Sequence, residues 1–270
     1  IIEEKENARL DMIIYIINNN LNNVWNTFLV VGDVPDYFYS KIKLFPFTLA
    51  VQGLGGGYYI NDVVKYSSNT VFINCPTISQ SNVVIRKAIT SPYWHPHSNV
   101  IFYLHSKEDE LTVAKLFYIF WYQRAPNSII VQYDDEKELM IISVYDPYVN
   151  NKYLGTCIGV NTFEVPYGEL GTLEKLNLFE DKGKNLHGYA LRGHVVELLP
   201  FMRITEEADG TYKTYSRDGM GWTTLSELLN FTLDLSPSKD TMKAKYSYAT
   251  NIQQLNEFAQ RKVDLFINPV

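Results

Sequence analysis

Three histidines are the residues whose type and spacing best suit metal chemistry. His95 and His97 are two positions apart, so in an extended segment both imidazoles would point to the same side, and His105 follows further along the chain. No convincing carboxylate or cysteine ligand accompanies them in this segment. The pattern therefore favours a solvent-exposed loop over a metal site, and we expect neither a metal nor another cofactor.

A glycine-rich segment, Gly53–Gly57, follows an apolar run and has the composition of a phosphate-binding loop. A P-loop needs a Gly-Lys-Ser/Thr sequence to place a cation and a magnesium ligand at the phosphates, whereas Tyr58 and Tyr59 follow here. A dinucleotide-binding loop would open a helix, but Tyr58–Ile60 has the pattern of an extended segment. A flexible turn is favoured. An α/β enzyme that uses this loop is an alternative, which a higher melting temperature with millimolar nucleotide would support.

Nucleophilic catalysis has no support in the sequence. No Gly-x-Ser-x-Gly sequence is present, and neither Cys75 nor Cys157 lies near a histidine in an electropositive setting. The acidic run Asp134–Glu136 lacks the spacing of a calcium-binding loop and predicts a polar turn. We therefore expect that the protein is not an enzyme. The two cysteines are either one disulfide of a secreted protein or two unrelated buried thiols.

The composition is that of a folded chain with a substantial core. Of the 270 residues, 46% are hydrophobic and 20% are charged. The net charge of −6 argues against a protein that binds nucleic acid by neutralising phosphates. The apolar run Leu116–Tyr122 is far shorter than the ~20 residues of a membrane-spanning helix, and it predicts a helix covered on most sides. Ile1–Arg9 are acidic, which predicts no signal peptide and a soluble chain.

Hydrophobic periodicity predicts that the first part of the chain has an α/β fold. Apolar residues between Leu10 and Leu21 recur at helical spacing, and Ser81–Ile89 and Glu108–Gln123 are also compatible with helices. The apolar runs that predict strands are Phe28–Val31, Thr48–Val51, Val71–Asn74, Asn99–Leu104, Ser128–Tyr133 and Leu139–Tyr145. Short runs without clean alternation, spaced by helices, predict a mainly parallel sheet covered on both faces. The last two runs are so close that they predict an antiparallel hairpin at the sheet edge.

The regular hydrophobic pattern ends after Asp146, and a new pattern later in the chain predicts a second unit. Glycine and proline punctuate the chain from there to about Gly188, which predicts an irregular connector. The elements predicted after it are strand Ala190–Leu199, a polar turn at Asp209-Gly210, helix Trp222–Leu229, strand Phe231–Leu235, helix Ile252–Arg261 and strand Val263–Ile267. We therefore expect an amino-terminal α/β domain with its connector in residues 1–185. Residues 186–270 would form the first part of a second domain, which the chain leaves truncated.

Short motifs in the second unit follow one another in a distinctive order. They are Asn185–Tyr189 before the first strand, Pro200-Phe201-Met202 after it, Asp218-Gly219, Asn230-Phe231-Thr232 and Val263–Pro269. This order resembles that of the divergent insect ionotropic receptors, which are related to the ionotropic glutamate receptors. The resemblance covers about residues 178–235 and 263–269. Tyr145–Tyr148 and the stretch leading to Cys157 are similar to the end of that family's amino-terminal domain.

The resemblance implies roles for individual residues. An aromatic residue after the first strand contacts the ligand in glutamate receptors, and here it is Phe201, which has no hydroxyl. The proline of the last motif offers its carbonyl to the ligand amine, and here it is Pro269. The arginine that binds the ligand carboxylate would lie beyond Val270. Because Glu197 is one position out of step with the acid of the glutamate receptors, its role does not transfer, and glutamate is not the expected ligand.

The resemblance also implies a cellular setting. Asn230-Phe231-Thr232 is the only N-glycosylation sequon in the chain, and an extracellular location predicts a glycan on Asn230. The same location favours a Cys75–Cys157 disulfide, provided that their Cα atoms lie within about 7 Å.

These expectations together describe the extracellular region of a chemosensory ligand-gated cation channel at the plasma membrane, with a partial periplasmic-binding-protein-like lobe. Its expected partners are a small-molecule ligand, other receptor subunits in a hetero-oligomer, and the membrane through downstream segments; no nucleic acid is expected. The alternative is a secreted periplasmic-binding-like protein without a channel. The coding sequence beyond Val270 distinguishes the two, because a channel needs apolar stretches of ~20 residues.

Overall fold

The structure, a computed structural model, describes residues 2–20, 27–42, 48–53, 58–60, 68–149, 159–195, 197, 199–237, 260 and 262–267. The chain divides into two units, Ile1–Lys182 and Gly183–Val270. The sequence predicts the boundary after residue 185. Both positions lie in the same stretch without helix or strand, between residues 175 and 188.

The amino-terminal unit is built on one eight-stranded sheet. Its strands are β1 (Thr27–Val31), β2 (Thr48–Gln52), β3 (Tyr58–Ile60), β4 (Ser68–Cys75), β5 (Asn99–Leu104), β6 (Ser128–Asp134), β7 (Leu139–Asp146) and β8 (Gly159–Pro166). Their spatial order is β3-β2-β1-β4-β5-β6-β7-β8. The strands from β2 to β6 in this order pair in parallel, whereas β3, β7 and β8 pair antiparallel. The predicted α/β class is confirmed, with a parallel centre and antiparallel flanks.

Helices cover both faces of this sheet. They are α1 (Ile2–Asn20), α2 (Asp36–Ile42), α3 (Ser81–Thr90), α4 (Glu110–Tyr122) and α5 (Leu170–Glu174). Alternate residues of one strand belong to different cores: Phe28 and Val30 pack with α1 and α2, and Leu29 and Val31 pack with α3 and α4. Burial on both faces explains why the strands are continuous apolar runs rather than alternating ones.

The hairpin β6–β7 forms as predicted, with Asp134 opposite Leu139 and the acidic run in its turn. β7 is not at the edge of the sheet, however, because β8 pairs with it along its whole length. Leu139 lies opposite Pro166 at one end, and Asp146 lies opposite Gly159 at the other. The prediction of an irregular connector is therefore wrong for β8 and for α5. The polar residues of β8 are mostly exposed, so the strand lacks the apolar run that marks the others.

The aromatic run on α4 is covered less completely than predicted. Leu116, Phe117 and Phe120 are buried, but Tyr118 and Tyr122 are 44% and 50% exposed. The helix begins at Glu110 because the side chain of Asp109 accepts a hydrogen bond from the Thr112 N–H at 2.6 Å.

The second unit is smaller, and its described residues form two sheets. Its elements are β9 (Tyr189–Val195), β10 (Arg203–Glu206), β11 (Tyr212–Tyr215), α6 (Ser216–Leu229), β12 (Phe231–Pro237) and β13 (Leu265–Ile267). β12, β9 and β13 form a parallel sheet in that order, and β10 and β11 form an antiparallel hairpin. Val195, Met202 and Leu235 are the buried centre of its core.

The elements of this unit differ from the prediction at two places. β9 ends at Val195 rather than Leu199, and the polar turn at Asp209-Gly210 joins two strands that the pattern did not predict. The predicted helix Ile252–Arg261 lies almost entirely outside the described residues. Among the helices that the structure describes, none combines the length and the apolarity that spanning a bilayer requires.

Candidate functional site

The strand order of the second unit reverses at one place. β9 is central, β12 lies on one side of it, and β13 lies on the other, all three running in parallel. The chain therefore moves from β9 to β12 and then returns across β9 to β13. In open α/β sheets, ligands bind beyond the carboxyl ends of the strands at such a reversal. The carboxyl edge of β9 and β13 is the candidate site.

Phe201 lies in the turn that follows β9 and is half-buried. Its carbonyl oxygen accepts a hydrogen bond from the Asp218 N–H at 3.1 Å, which ties the turn to the first turn of α6. The guanidinium carbon of Arg217 lies 4.7 Å from the centre of the Phe201 ring, which is a cation–π distance. Phe201 is not part of the core cluster of this unit. Its ring contacts Arg217 instead, and its role as a ligand contact stays a prediction.

Arg217 is the cation that lies beside Phe201, and the sequence analysis did not single it out. Its Nε donates to Asp218 Oδ1 at 2.6 Å and its Nη2 donates to Asp218 Oδ2 at 3.3 Å. These hydrogen bonds raise the pKa of Arg217, so the guanidinium stays charged. Because the side chain is 65% exposed and a guanidinium has five N–H groups, it can also donate to an anionic group of a ligand.

Two backbone features fix the junction between β11 and α6. Ser216 has a φ of 72°, in the left-handed region that non-glycine residues rarely adopt. A Cβ on Gly219 would lie 2.7 Å from the carbonyl carbon of Thr214, so only glycine lets α6 pack this closely against the end of β11. The Asp-Gly motif thus has a physical basis: Asp218 holds Arg217, and Gly219 permits the close approach.

Asp264 fixes β13 against β9. The Nε and Nη2 atoms of Arg192 each donate to the Asp264 carboxylate at 3.0 Å, and the Arg192 backbone N–H donates to it at 3.1 Å. The hydrogen bond with Asp264 raises the pKa of Arg192. This bidentate pair fixes where the chain enters β13. Pro269, the second residue that the resemblance assigns to the ligand, follows two residues after β13 and lies outside the described residues.

The sequon asparagine is accessible. Asn230 is exposed, ends α6 in a left-handed conformation, and donates from Nδ2 to Asn185 Oδ1 at 2.8 Å. The sequon threonine, Thr232, is also exposed. Attachment of a glycan to the side-chain nitrogen requires such an exposed position.

Cys75 is a buried, free thiol at the end of β4, and its Sγ donates to the Thr77 carbonyl at 3.1 Å. Burial raises its pKa to about 11, which disfavours the reactive thiolate. Cys157 lies outside the described residues, so their pairing stays a prediction.

The three histidines do not come together. His95 and His97 precede β5 and His105 follows it, and a strand of six residues separates its ends by about 20 Å. His105 is instead hydrogen-bonded through Nε2 to Asn74 Oδ1 at 2.7 Å, and burial lowers its pKa. Within the part of the chain that the structure describes, no three His, Cys, Asp or Glu side chains are grouped to hold a metal ion.

The glycine-rich segment does not open a helix. β3 (Tyr58–Ile60) follows it and pairs antiparallel with β2, as the extended pattern predicts. Gly53 is described, and residues 54–57 lie outside the described residues.

No protein-family model matches the chain, and no curated protein matches it in sequence. The fold and the site therefore define only a class: a two-unit α/β chain whose second unit has a candidate ligand site at the carboxyl edge of a parallel sheet.

Proposed function

We propose that the chain is the extracellular ligand-sensing region of a chemosensory ionotropic receptor of the insect type, a ligand-gated cation channel. The observation that supports this proposal is the parallel order β12-β9-β13, with Phe201 in the turn that follows β9 in the chain. Numbered along the chain, the three strands have the order 2-1-3, with which a common doubly wound α/β sheet begins. A lobe of a periplasmic-binding-like clamshell requires such a sheet, with its ligand at the reversal.

The chemistry of this edge suits a small ligand with an apolar part and a polar group. The Phe201 ring offers an apolar face, and Arg217 offers N–H donors to an acceptor. The carbonyl of Pro269 would accept a hydrogen bond from an amine, as the resemblance implies. A phenylalanine has no hydroxyl, so recognition at this point depends on contact with the ring rather than on a hydrogen bond.

Gating would follow from ligand affinity that differs between two states. A ligand held between this lobe and a second one favours the closed clamshell by the difference between its binding free energies to the closed and open forms. Closure then acts on the pore through downstream segments and in concert with other subunits of a hetero-oligomer. The amino-terminal α/β unit precedes this lobe in the chain.

The coding sequence downstream of Val270 tests the receptor assignment. We expect it to encode the remainder of the lobe, a second lobe and apolar stretches of ~20 residues. A reading frame that stops at Val270, or continues without an apolar stretch, contradicts the proposal and supports the secreted binding protein instead.

A functional test uses the full-length receptor, expressed with its partner subunits and screened for currents against a panel of small organic molecules. With the first agonist found, we expect Phe201→Ala to raise the half-maximal concentration at least tenfold. The matched control is Leu228→Ala, which truncates a side chain that is 72% exposed near the opposite end of α6. Equal responses of the two variants would exclude Phe201 as a ligand contact.

A further inference from the structure

A cavity of about 190 Å³ lies in the amino-terminal unit, between the start of α4 and the antiparallel strands β6, β7 and β8. Its polar lining comes mainly from Lys107, Glu108, Glu110, Gln132, Thr162 and Glu164. α3 and α4 cover the parallel strands on this face, and the two antiparallel strands extend the sheet beyond them. The cavity lies beside the start of α4, over the part of the sheet formed by β6, β7 and β8.

The strand register determines the floor of the cavity. Gln132 lies opposite Ile141, and Ile141 lies opposite Glu164, so one row across the three strands presents an amide, an apolar side chain and a carboxylate. In the next row on the same face, Ser143 lies opposite Thr162, and their hydroxyl oxygens are 3.3 Å apart. The floor therefore offers several hydrogen-bonding groups around a small apolar patch.

Gln132 is the feature that points to a ligand. The residue is only 2% exposed, it lines the cavity, and its Nε2 has no hydrogen-bond partner. Buried polar side chains in folded proteins are nearly always hydrogen-bonded, so an unpaired amide nitrogen on a residue that lines a cavity indicates a group that binds there. Asn74 shows the usual state: at 3% exposure its amide is bonded both to His105 and to the carbonyl of Asp33.

The charge of the lining indicates which group the ligand carries. Three carboxylates line the cavity, on Glu108, Glu110 and Glu164, against the single ammonium of Lys107. Lys107 is already paired with Asp134 at 2.6 Å, and this hydrogen bond raises the pKa of Lys107. The remaining negative charge comes from both the helix side and the strand side, which favours a cation in between.

We propose that this cavity binds a small organic amine that carries hydroxyl groups. The ammonium group lies between Glu110 and Glu164, and a hydroxyl oxygen accepts the unpaired hydrogen bond of Gln132. Ser143 and Thr162 hydrogen-bond further hydroxyl groups. The site is in the unit that does not contain the proposed agonist site, and it does not depend on the receptor assignment.

The test is calorimetric titration of the full chain at near-neutral pH. The probe is glucosamine, compared with glucose (hydroxyls without charge), cyclohexylamine (charge without hydroxyls) and glucuronate (the opposite charge). We expect glucosamine to bind at least tenfold more tightly than each of the other three. Equal binding of glucose, tighter binding of glucuronate, or no detectable binding of glucosamine overturns the proposal.

Variants then locate the binding. Gln132→Met keeps the length of the side chain and removes the amide, and Glu164→Gln removes one charge from an exposed strand residue. Each variant is expected to weaken glucosamine binding at least tenfold, whereas Glu227→Gln, which removes an exposed carboxylate from α6, leaves it unchanged. Unchanged affinity in both cavity variants, with melting curves showing that they are folded, excludes this cavity as the site.

Discussion

The ammonium nitrogen of Lys182 lies 4.2 Å from the centre of the Tyr145 ring and donates a hydrogen bond to the carbonyl oxygen of Pro126. Lys182 is the last residue of the amino-terminal unit, so these contacts fasten the end of the connector to the sheet. Burial lowers the pKa of Lys182 to about 8. The ring and the carbonyl favour the ammonium form, but they do not outweigh the hydration that it loses.

The lowered pKa makes stability depend on pH. Between about pH 8 and about 10.4, the usual lysine value, the unfolded chain retains a proton at Lys182 that the folded chain has lost. The free energy of unfolding should therefore rise with pH in this window through Lys182. Below about pH 8 the cost of the buried charge is fully present. Urea denaturation from about pH 7 to about pH 10 measures the effect.

The Lys182→Met variant lacks this titration. Below about pH 8, the difference in free energy of unfolding between this variant and the wild type should be constant. Above about pH 8, the wild type gains stability through Lys182 and the variant does not, so the variant should become less stable relative to the wild type. The control is Lys175→Met, which removes an exposed lysine and should keep the wild-type pH dependence. Parallel curves for the wild type and Lys182→Met would show that Lys182 is not desolvated.

Two glycines in α6 give a matched pair of substitutions with opposite signs. Gly219→Ala would place a Cβ 2.7 Å from the carbonyl carbon of Thr214, and this backbone atom cannot move without displacing β11. We expect a loss of about 2 kcal/mol in the free energy of unfolding. Gly221 has no atom within 4 Å of the corresponding position, so Gly221→Ala should gain about 1 kcal/mol through helix propensity.

Thermal and urea denaturation of both variants check these signs. If Gly219→Ala is not destabilising, α6 does not approach β11 this closely, and if Gly221→Ala is destabilising, the position of Gly221 is not open. Because Gly219 adjoins Asp218 and hence Arg217, Gly219→Ala is also expected to disturb the candidate ligand site.

The strands that can be predicted from the sequence are those whose side chains are buried on both faces of the sheet. Phe28–Val31 is entirely apolar, and it forms a strand because only a site between two helix layers satisfies such a run. β8 escapes prediction because Asn161, Thr162 and Glu164 are exposed in it, and an edge strand needs only one apolar face. The glycine and proline at its ends, which bound the strand, are equally typical of an irregular connector.

The candidate site is less accessible to sequence reasoning than the fold. Phe201 and Arg217 meet because the hairpin β10–β11 folds back between them, and no spacing rule predicts that contact. Asp264 is part of a recognised motif, but its partner Arg192 becomes evident only once β13 pairs with β9. Gln132 follows the apolar run Ile129–Val131 in β6, and the absence of a partner for its amide nitrogen is visible only in three dimensions.

Glycosylation of Asn230 tests the extracellular location. We expect protein secreted from insect cells to carry an N-linked glycan at this exposed asparagine, detected as a mass loss on treatment with an N-glycosidase. Thr232→Ala should abolish the modification without disturbing the helix end, because Asn230 stays in place. Thr232→Ser is the control and should retain the glycan. Unmodified wild-type protein would contradict the extracellular assignment.

Gln132 and Asn74 are two buried amides on neighbouring parts of one sheet that should respond oppositely to apolar substitution. The Gln132 amide nitrogen has no partner, so Gln132→Met removes an uncompensated desolvation cost and should raise the free energy of unfolding by about 1 kcal/mol in the absence of ligand. Asn74→Leu removes two hydrogen bonds and leaves the His105 ring and the Asp33 carbonyl without them, so a loss of about 2 kcal/mol is expected.

Urea denaturation of the two variants measures both changes. A loss of stability in Gln132→Met would mean that the amide is already satisfied in the free protein, for example by water, and would remove the main argument for a ligand in the adjoining cavity.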